Sequence, residues 1–232
     1  MNTSSSRPAS RDSSAAGTQQ GGGQPPLRLL AVMPAQAAAD AAVECLDAFC
    51  QRVDVAAVLL ATMPTEEEDA ASMQDLAQAL VHVAQAHGAA ALVREDVNAC
   101  RRLGADGVHV EGDAPDRIRS LRRMLGDEMI IGACCPLQRH VAMELAEAGA
   151  DYLGIDQRVE ARGENLLAWW AQMFTVPVVA MLPAAPQELP RLWRQGADFA
   201  VPLPEVWEDA ARAAALAEEY AEALRQLTEM HA

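Results

Sequence analysis

Apolar residues fall along this chain in two alternating patterns. Short, nearly continuous apolar runs have the length of buried strands, and between them lie longer runs with apolar positions at helical spacing. The strand-like runs are Leu27–Met33, Val53–Leu60, Ala89–Val93, Gly107–Val110, Met129–Ala133, a sixth ending at Ile155, Val176–Met181 and Asp198–Val201. The helix-like runs are Gln36–Cys50, one from about Pro64 to Ala86, Asp96–Leu103, one opened by Pro115, Leu137–Ala148, Glu164–Phe174, Gln187–Gln195 and Glu205–Met230. Eight strands alternating with eight helices predict a (β/α)8 barrel, a TIM barrel in the α/β class. An open doubly wound sheet is the alternative, and the chain carries no Gly-rich dinucleotide fingerprint to support it.

One phrase recurs three times within this alternation. It reads Gly104-Ala-Asp-Gly-Val-His-Val110, Gly149-Ala-Asp-Tyr-Leu-Gly-Ile155 and Gly196-Ala-Asp-Phe-Ala-Val-Pro202. Each glycine ends an amphipathic run, where a residue without Cβ can take the left-handed backbone that closes a helix. Each phrase then enters a short strand. The glycines stand 45 and 47 residues apart, so each period holds two strand–helix units of about 23 residues.

Residues 1–26 stand outside the pattern. They are rich in Ser, Gly, Gln and Pro, have almost no large apolar side chain, and predict a disordered tail rather than a signal peptide or organelle transit peptide. Residues 27–232 are expected to form one barrel domain. No stretch is long and apolar enough to cross a membrane. A net charge of −15 argues against nucleic acid or an anionic membrane as partner. Five cysteines, an odd number, read as reduced thiols of a cytoplasmic protein. All 18 basic residues are arginine. With no lysine, Schiff-base chemistry, a lysine base and a P-loop lysine are excluded.

In a barrel of this kind, function sits on the loops after the C-terminal ends of the strands. There the residues resemble a known family. Leu92-Val-Arg-Glu-Asp-Val-Asn98, the first Gly-Ala-Asp phrase, Ile130-Ile-Gly-Ala-Cys134 and Gly149-Ala-Asp-Tyr-Leu-Gly154 are similar to the thiamine-phosphate synthases, in order and spacing. Val176–Ala180 and Gly196-Ala-Asp198 extend the likeness, which runs from about residue 28 to 215. The resemblance implies a TIM barrel that joins a thiazole phosphate to a pyrimidine pyrophosphate. Mg²⁺ would assist the departure of pyrophosphate.

The same comparison implies a depleted site. The family's Gln-x-Arg-x-Lys pattern after strand two falls on Val58, Leu60 and Thr62, and its Asn-Asp after strand three on Arg94-Glu95. After strand four, one metal-binding carboxylate survives as Asp113, and Glu95 would be its companion on Mg²⁺. A Ser or Thr becomes Cys134, and a Gly-Pro becomes Ile155-Asp156-Gln157. The Gly-Gly phosphate loop after strand seven becomes Leu182-Pro183-Ala184, expected as a loop to Pro186, and the phosphate-binding Ser after strand eight becomes Pro202-Leu203-Pro204. Proline has no N–H to offer a phosphate.

The candidate ligand-binding residues at the mouth are therefore Arg94, Glu95, His109, Cys134, Asp156 and Arg158, facing a small-molecule ligand. His109 reads as a structural histidine rather than an acid–base. Cys134 and Cys135 read as small buried thiols, although Cys134 with His109 could form a soft metal or redox site. Of Trp169 and Trp170, one ring is expected against the sheet, and the other, if exposed, would mark a homodimer or partner surface. Three readings follow: a degenerate synthase-like barrel, an active synthase using Arg94, Arg158 and Arg162 in place of lysine, and a non-catalytic interaction protein.

Overall fold

A computed structural model describes residues 24–34, 39–60, 70–112, 114–157 and 165–230. Its elements alternate: β1 (Arg28–Val32), α1 (Ala39–Cys50), β2 (Val55–Leu60), α2 (Ala70–Ala86), β3 (Ala90–Arg94), α3 (Val97–Leu103), β4 (Gly107–Val110) and α4 (Pro115–Leu125). They continue with β5 (Ile130–Cys135), α5 (Arg139–Glu147), β6 (Tyr152–Ile155), α6 (Leu166–Met173), β7 (Val178–Ala184), α7 (Leu189–Arg194), β8 (Phe199–Pro202) and α8 (Ala210–Glu229). The strands pair in parallel in chain order, and β8 pairs β1 to close the barrel. Of the N-terminal tail, residues 1–23 lie outside the described residues, whereas Gln24 donates to the Trp193 carbonyl and the Pro25 carbonyl accepts the Trp193 indole N–H. No helix among the described residues is long and apolar enough to cross a membrane.

Strand residues divide between two apolar clusters. Val58, Leu60, Val93, Val108, Ile131, Leu153 and Ala180 belong to the large cluster that also holds the helix side chains. Leu30, Leu59, Leu92, Tyr152, Val179 and Val201 form a second cluster made of strand residues alone, which is the barrel interior. The period of two along each strand sends neighbours to opposite faces.

The recurring glycines do close their helices, with φ of 64° at Gly104, 101° at Gly149 and 87° at Gly196. The aspartate two residues on has a distinct task. The Asp106 carboxylate accepts the Ala91 N–H at 2.8 Å, Asp151 the Ile131 N–H at 2.7 Å and Asp198 the Val178 N–H at 2.8 Å. Each aspartate also donates its own N–H to the carbonyl of that same residue. The phrase is thus a two-point clamp that sets the start of β4 against β3, β6 against β5 and β8 against β7. Burial raises the Asp198 carboxyl above its ordinary range, and the Val178 N–H works against that rise.

The exits of β7 and β8 depart from expectation. Leu182–Pro186 does not form a loop: β7 runs on to Ala184, where it lies beside Pro202 of β8. A side chain makes this possible. Gln157 accepts the Leu182 N–H at 2.8 Å and donates to the Leu182 carbonyl at 3.0 Å, standing in for a partner strand. The closing helix also starts later than Glu205. Pro204–Trp207 forms a 3-10 turn, and Asp209, in extended backbone, caps α8 by accepting the Arg212 N–H at 2.8 Å.

If the aspartate clamps hold the strand starts, Asp198→Ala leaves the buried Val178 N–H without its acceptor. We expect a loss of about 1–3 kcal/mol, seen as a lower urea midpoint with unchanged slope. Glu218→Ala, which removes the surface pair with Arg52, should cost under about 1 kcal/mol.

Candidate functional site

The strand register brings four residues into one row around the barrel interior. Arg94 of β3 lies beside His109 of β4, His109 beside Gly132 of β5, and Gly132 beside Tyr152 of β6. Gly132 makes the row possible. A Cβ there would stand 2.0 Å from the Tyr152 ring, so the absent side chain lets the tyrosine lie across β5. Its hydroxyl meets His109 Nδ1 at 2.7 Å, with the rings 5.6 Å apart and nearly parallel. One step nearer the mouth, Cys134 Sγ lies 3.2 Å from His109 Nε2. Cys134 in turn lies beside Gly154, another interior position without a side chain.

His109 is fully buried. Burial, with the Arg94 charge adding to it, pushes the imidazole down to about 3, so the ring is neutral at physiological pH. Burial, reinforced by Glu111, pushes the Cys134 thiol up to about 12, and burial raises the Tyr152 phenol. Cys135 faces the other way, into the cluster shared with the helices.

At the rim, acids and arginines pair off. Arg94 is bonded to Glu111, and Glu95 to Arg117. Glu95 takes a left-handed backbone with φ of 64°, strained for a residue with a side chain. The turn is held from both sides: Glu95 N–H donates to the His109 carbonyl at 2.9 Å, and its carboxylate accepts the Glu111 N–H. Asp156 stands half-buried beyond β6. Asp113, Thr62, Arg158 and Arg162 lie outside the described residues, so of the residues singled out in the sequence the structure brings together Arg94, Glu95, His109 and Cys134, with Glu111 beside them.

The strand-two positions need correction. Val58 and Leu60 point outward, into the cluster under the helices, and the inward residues are Ala57 and Leu59. The correspondence shifts by one residue, and a one-residue shift reverses every side chain on a strand. Ala57 and Leu59 are themselves apolar, so β2 still offers the interior no polar group.

The exits of β7 and β8 are closed by side chains that sequence reasoning missed. The Tyr220 hydroxyl, from α8, accepts the Leu203 N–H at 2.9 Å and donates to the Ala184 carbonyl at 2.6 Å. The Ala185 N–H goes to Glu188 at 2.9 Å and the Leu182 N–H to Gln157. Pro183, Pro186, Pro202 and Pro204 have none to give. Tyr220 could not be found from spacing, because its partners lie 17 and 36 residues away on two other elements. Tyr152 had a faint signal: the fourth position of the recurring phrase is Gly107, Tyr152 or Phe199, and the two aromatic ones fill the interior.

Several cavities lie away from the mouth, including one of about 580 Å³ beside Gly88, Asp106 and Met129. Another of about 460 Å³ sits between α6, α7 and residues Gln24 and Pro25, and one of about 230 Å³, mainly apolar, opens at the opposite end of the barrel around Ala57, Ala90, Leu92 and Phe199. Trp170 is buried and stacked on Phe174, whereas Trp169 is half-buried with the Arg139 guanidinium 4.6 Å over its ring.

These features define a (β/α)8 barrel with a polar, partly buried cluster at the C-terminal mouth. The sequence profile of the family described as thiamine monophosphate synthase matches residues 29–202. The chain belongs to that family. It is 38% identical over 160 residues to the thiamine-phosphate synthase of Erythrobacter litoralis, covering 64% of this chain and 75% of that one. The Rhodospirillum centenum thiamine-phosphate synthase is 31% identical over 180 residues, covering 74% and 85%. Among solved structures, a thiamine phosphate pyrophosphorylase from Pyrococcus furiosus superposes with a TM-score of 0.70 at 19% identity, over 87% of this chain and 96% of that one. At that identity the superposition speaks for the fold alone.

Gly132→Ala should force the Tyr152 ring out of its row and destabilise the fold by about 1–3 kcal/mol. Tyr152→Leu frees that space, so the double variant should lose less than the sum of the two single losses in urea unfolding.

Proposed function

We propose that this chain is a synthase-like barrel that retains the family fold and ligand mouth but has weak or no thiamine-phosphate synthase activity. One observation carries the reading: three backbone donors at the exits of β7 and β8 are engaged by side chains of the protein itself. A phosphate bound in a barrel of this kind rests on backbone N–H groups of those two exits. Here those of Leu182, Ala185 and Leu203 are held by Gln157, Glu188 and Tyr220, and the prolines supply none.

The rim supports the same reading. A departing pyrophosphate needs unpaired cations, and Arg94 and Arg117 are each engaged by a carboxylate. Those pairs also make a poor Mg²⁺ site. The ion requires several hard oxygen ligands in near-octahedral order, whereas the described rim offers two carboxylates, Glu95 and Glu111, with an imidazole and a thiol beside Glu111. The mouth keeps a neutral imidazole, a thiol and two acid–arginine pairs, a set suited to a small polar ligand. The five free thiols fit a reducing, cytoplasmic setting.

The test is a synthase assay at high protein concentration with thiazole phosphate, hydroxymethylpyrimidine pyrophosphate and Mg²⁺, thiamine phosphate being detected directly. The expected result is no product above that of an Arg94→Ala, Asp113→Ala double variant. Product that disappears in the double variant would overturn the proposal and show arginine working where the family uses lysine. A second measurement probes the sealed exits. Tyr220→Phe should lower stability by about 1–3 kcal/mol, with no synthase activity gained.

A further inference from the structure

Three side chains of different donor chemistry converge at the mouth. His109 on β4, Glu111 one step beyond it and Cys134 on β5 offer a nitrogen, a carboxylate oxygen and a sulfur that all lie within 4.8 Å of one another. We propose that His109, Glu111 and Cys134 form a binding site for a Zn²⁺ ion, with a fourth coordination position open to the mouth. The inference does not depend on whether synthase activity remains, because it rests on the donor atoms and their spacing.

The donor set suits zinc. Imidazole, thiolate and carboxylate are its usual ligands, and soft sulfur with nitrogen selects against Mg²⁺ and Ca²⁺. Bonds of about 2.0–2.3 Å in a tetrahedron place neighbouring ligand atoms about 3.3–3.8 Å apart. His109 Nε2 and Cys134 Sγ, at 3.2 Å, are slightly closer than that and need only a small separation to take an ion, and the three ligand atoms all lie within 4.8 Å of one another. Arg94 bonds the Glu111 carboxylate, but two oxygens with about four lone-pair directions can serve both an arginine and a metal.

The surroundings are those of a zinc ligand set. His109 Nδ1 is bonded to the Tyr152 hydroxyl at 2.7 Å, so that nitrogen can carry the ring proton and Nε2 presents its lone pair to the ion. The buried ring has no charge to lose on binding, since burial keeps it neutral. Cys134 releases its thiol proton to solvent as it coordinates, and the metal supplies the positive charge that the apolar surroundings lack. Thiolate and carboxylate then neutralise Zn²⁺, leaving Arg94 as a cation beside the open position. Glu111 is exposed, so ions and ligands reach the centre from solvent. Three protein ligands with one open position is the form of a reactive zinc rather than a structural one. The open position would take water or a small oxygen- or nitrogen-donor ligand bearing negative charge.

Cobalt(II) is the probe, added to the full untagged chain after chelator treatment under reducing conditions. We expect one Co²⁺ per chain, a thiolate-to-cobalt charge-transfer band, visible bands of a low-coordinate ion, and displacement of Co²⁺ by Zn²⁺. Cys134→Ser should abolish the charge-transfer band, and Glu111→Gln should weaken binding about 10-fold or more. Cys135→Ser and Cys50→Ser should leave the band intact. Glu111 is at the surface, so that variant tests the site even if substitutions at buried His109 fail to fold. Wild-type protein without a thiolate band, or a band that survives in Cys134→Ser, would falsify the site. It would leave His109 and Cys134 as a hydrogen-bonded pair that fills the barrel. The readout is spectroscopic, so a positive synthase assay would sink the proposed function without touching this inference.

Discussion

A closed parallel barrel depends on finding a partner for every buried backbone N–H at the point where a strand begins. In this chain three aspartates meet that demand. Asp106, Asp151 and Asp198 each accept the N–H of one residue on the neighbouring strand and donate to its carbonyl. An unmet donor at such a buried site costs more than the bond contributes when made. The clamp therefore fixes the stagger between paired strands, and the stagger decides which side chains share a level inside the barrel. Asp54, just before β2, pairs instead with the Arg28 side chain at 3.1 Å, a surface solution to a similar seam.

The functional geometry follows from that stagger. Because His109 lies opposite Gly132, and Gly132 opposite Tyr152, a tyrosine two strands away reaches a buried imidazole. Burial then shapes the chemistry of the group: a ring held neutral at physiological pH, next to a thiol held protonated. The rim, wetter and more open, keeps its charges by pairing them. Among the described residues, a neutral polar interior thus lies beneath a rim where Arg94 pairs with Glu111 and Arg117 with Glu95.

The other half of the mouth was shaped by closure rather than by charge. Extending β7 to Ala184 and tying Ala184 and Leu203 through Tyr220 makes the exits of β7 and β8 part of the scaffold. Groups fixed in this way gain stability for the fold and lose their availability to a ligand. Family membership is compatible with the proposed loss of the phosphate site: the aspartate clamps lie at the ends of the strands away from the mouth, so changes at the mouth need not disturb them.

The sequence by itself determined the alternation of strand and helix, the left-handed glycines and the parallel order of the barrel, because these follow from local periodicity and backbone sterics. It also determined which chemistries lysine's absence forbids. Arg94, Glu95, His109 and Cys134 were legible as mouth residues because each stands at the C-terminal end of a strand. Only the tertiary structure decided that Val58 and Leu60 face outward, since a shift of one residue on a strand is invisible in an all-apolar run. The pairing of Arg94 with Glu111, the reach of Tyr152 across Gly132 and the sealing of Leu203 by Tyr220 were likewise decided there. Each joins groups from separate elements, and closing the barrel is what brings those elements within hydrogen-bond distance.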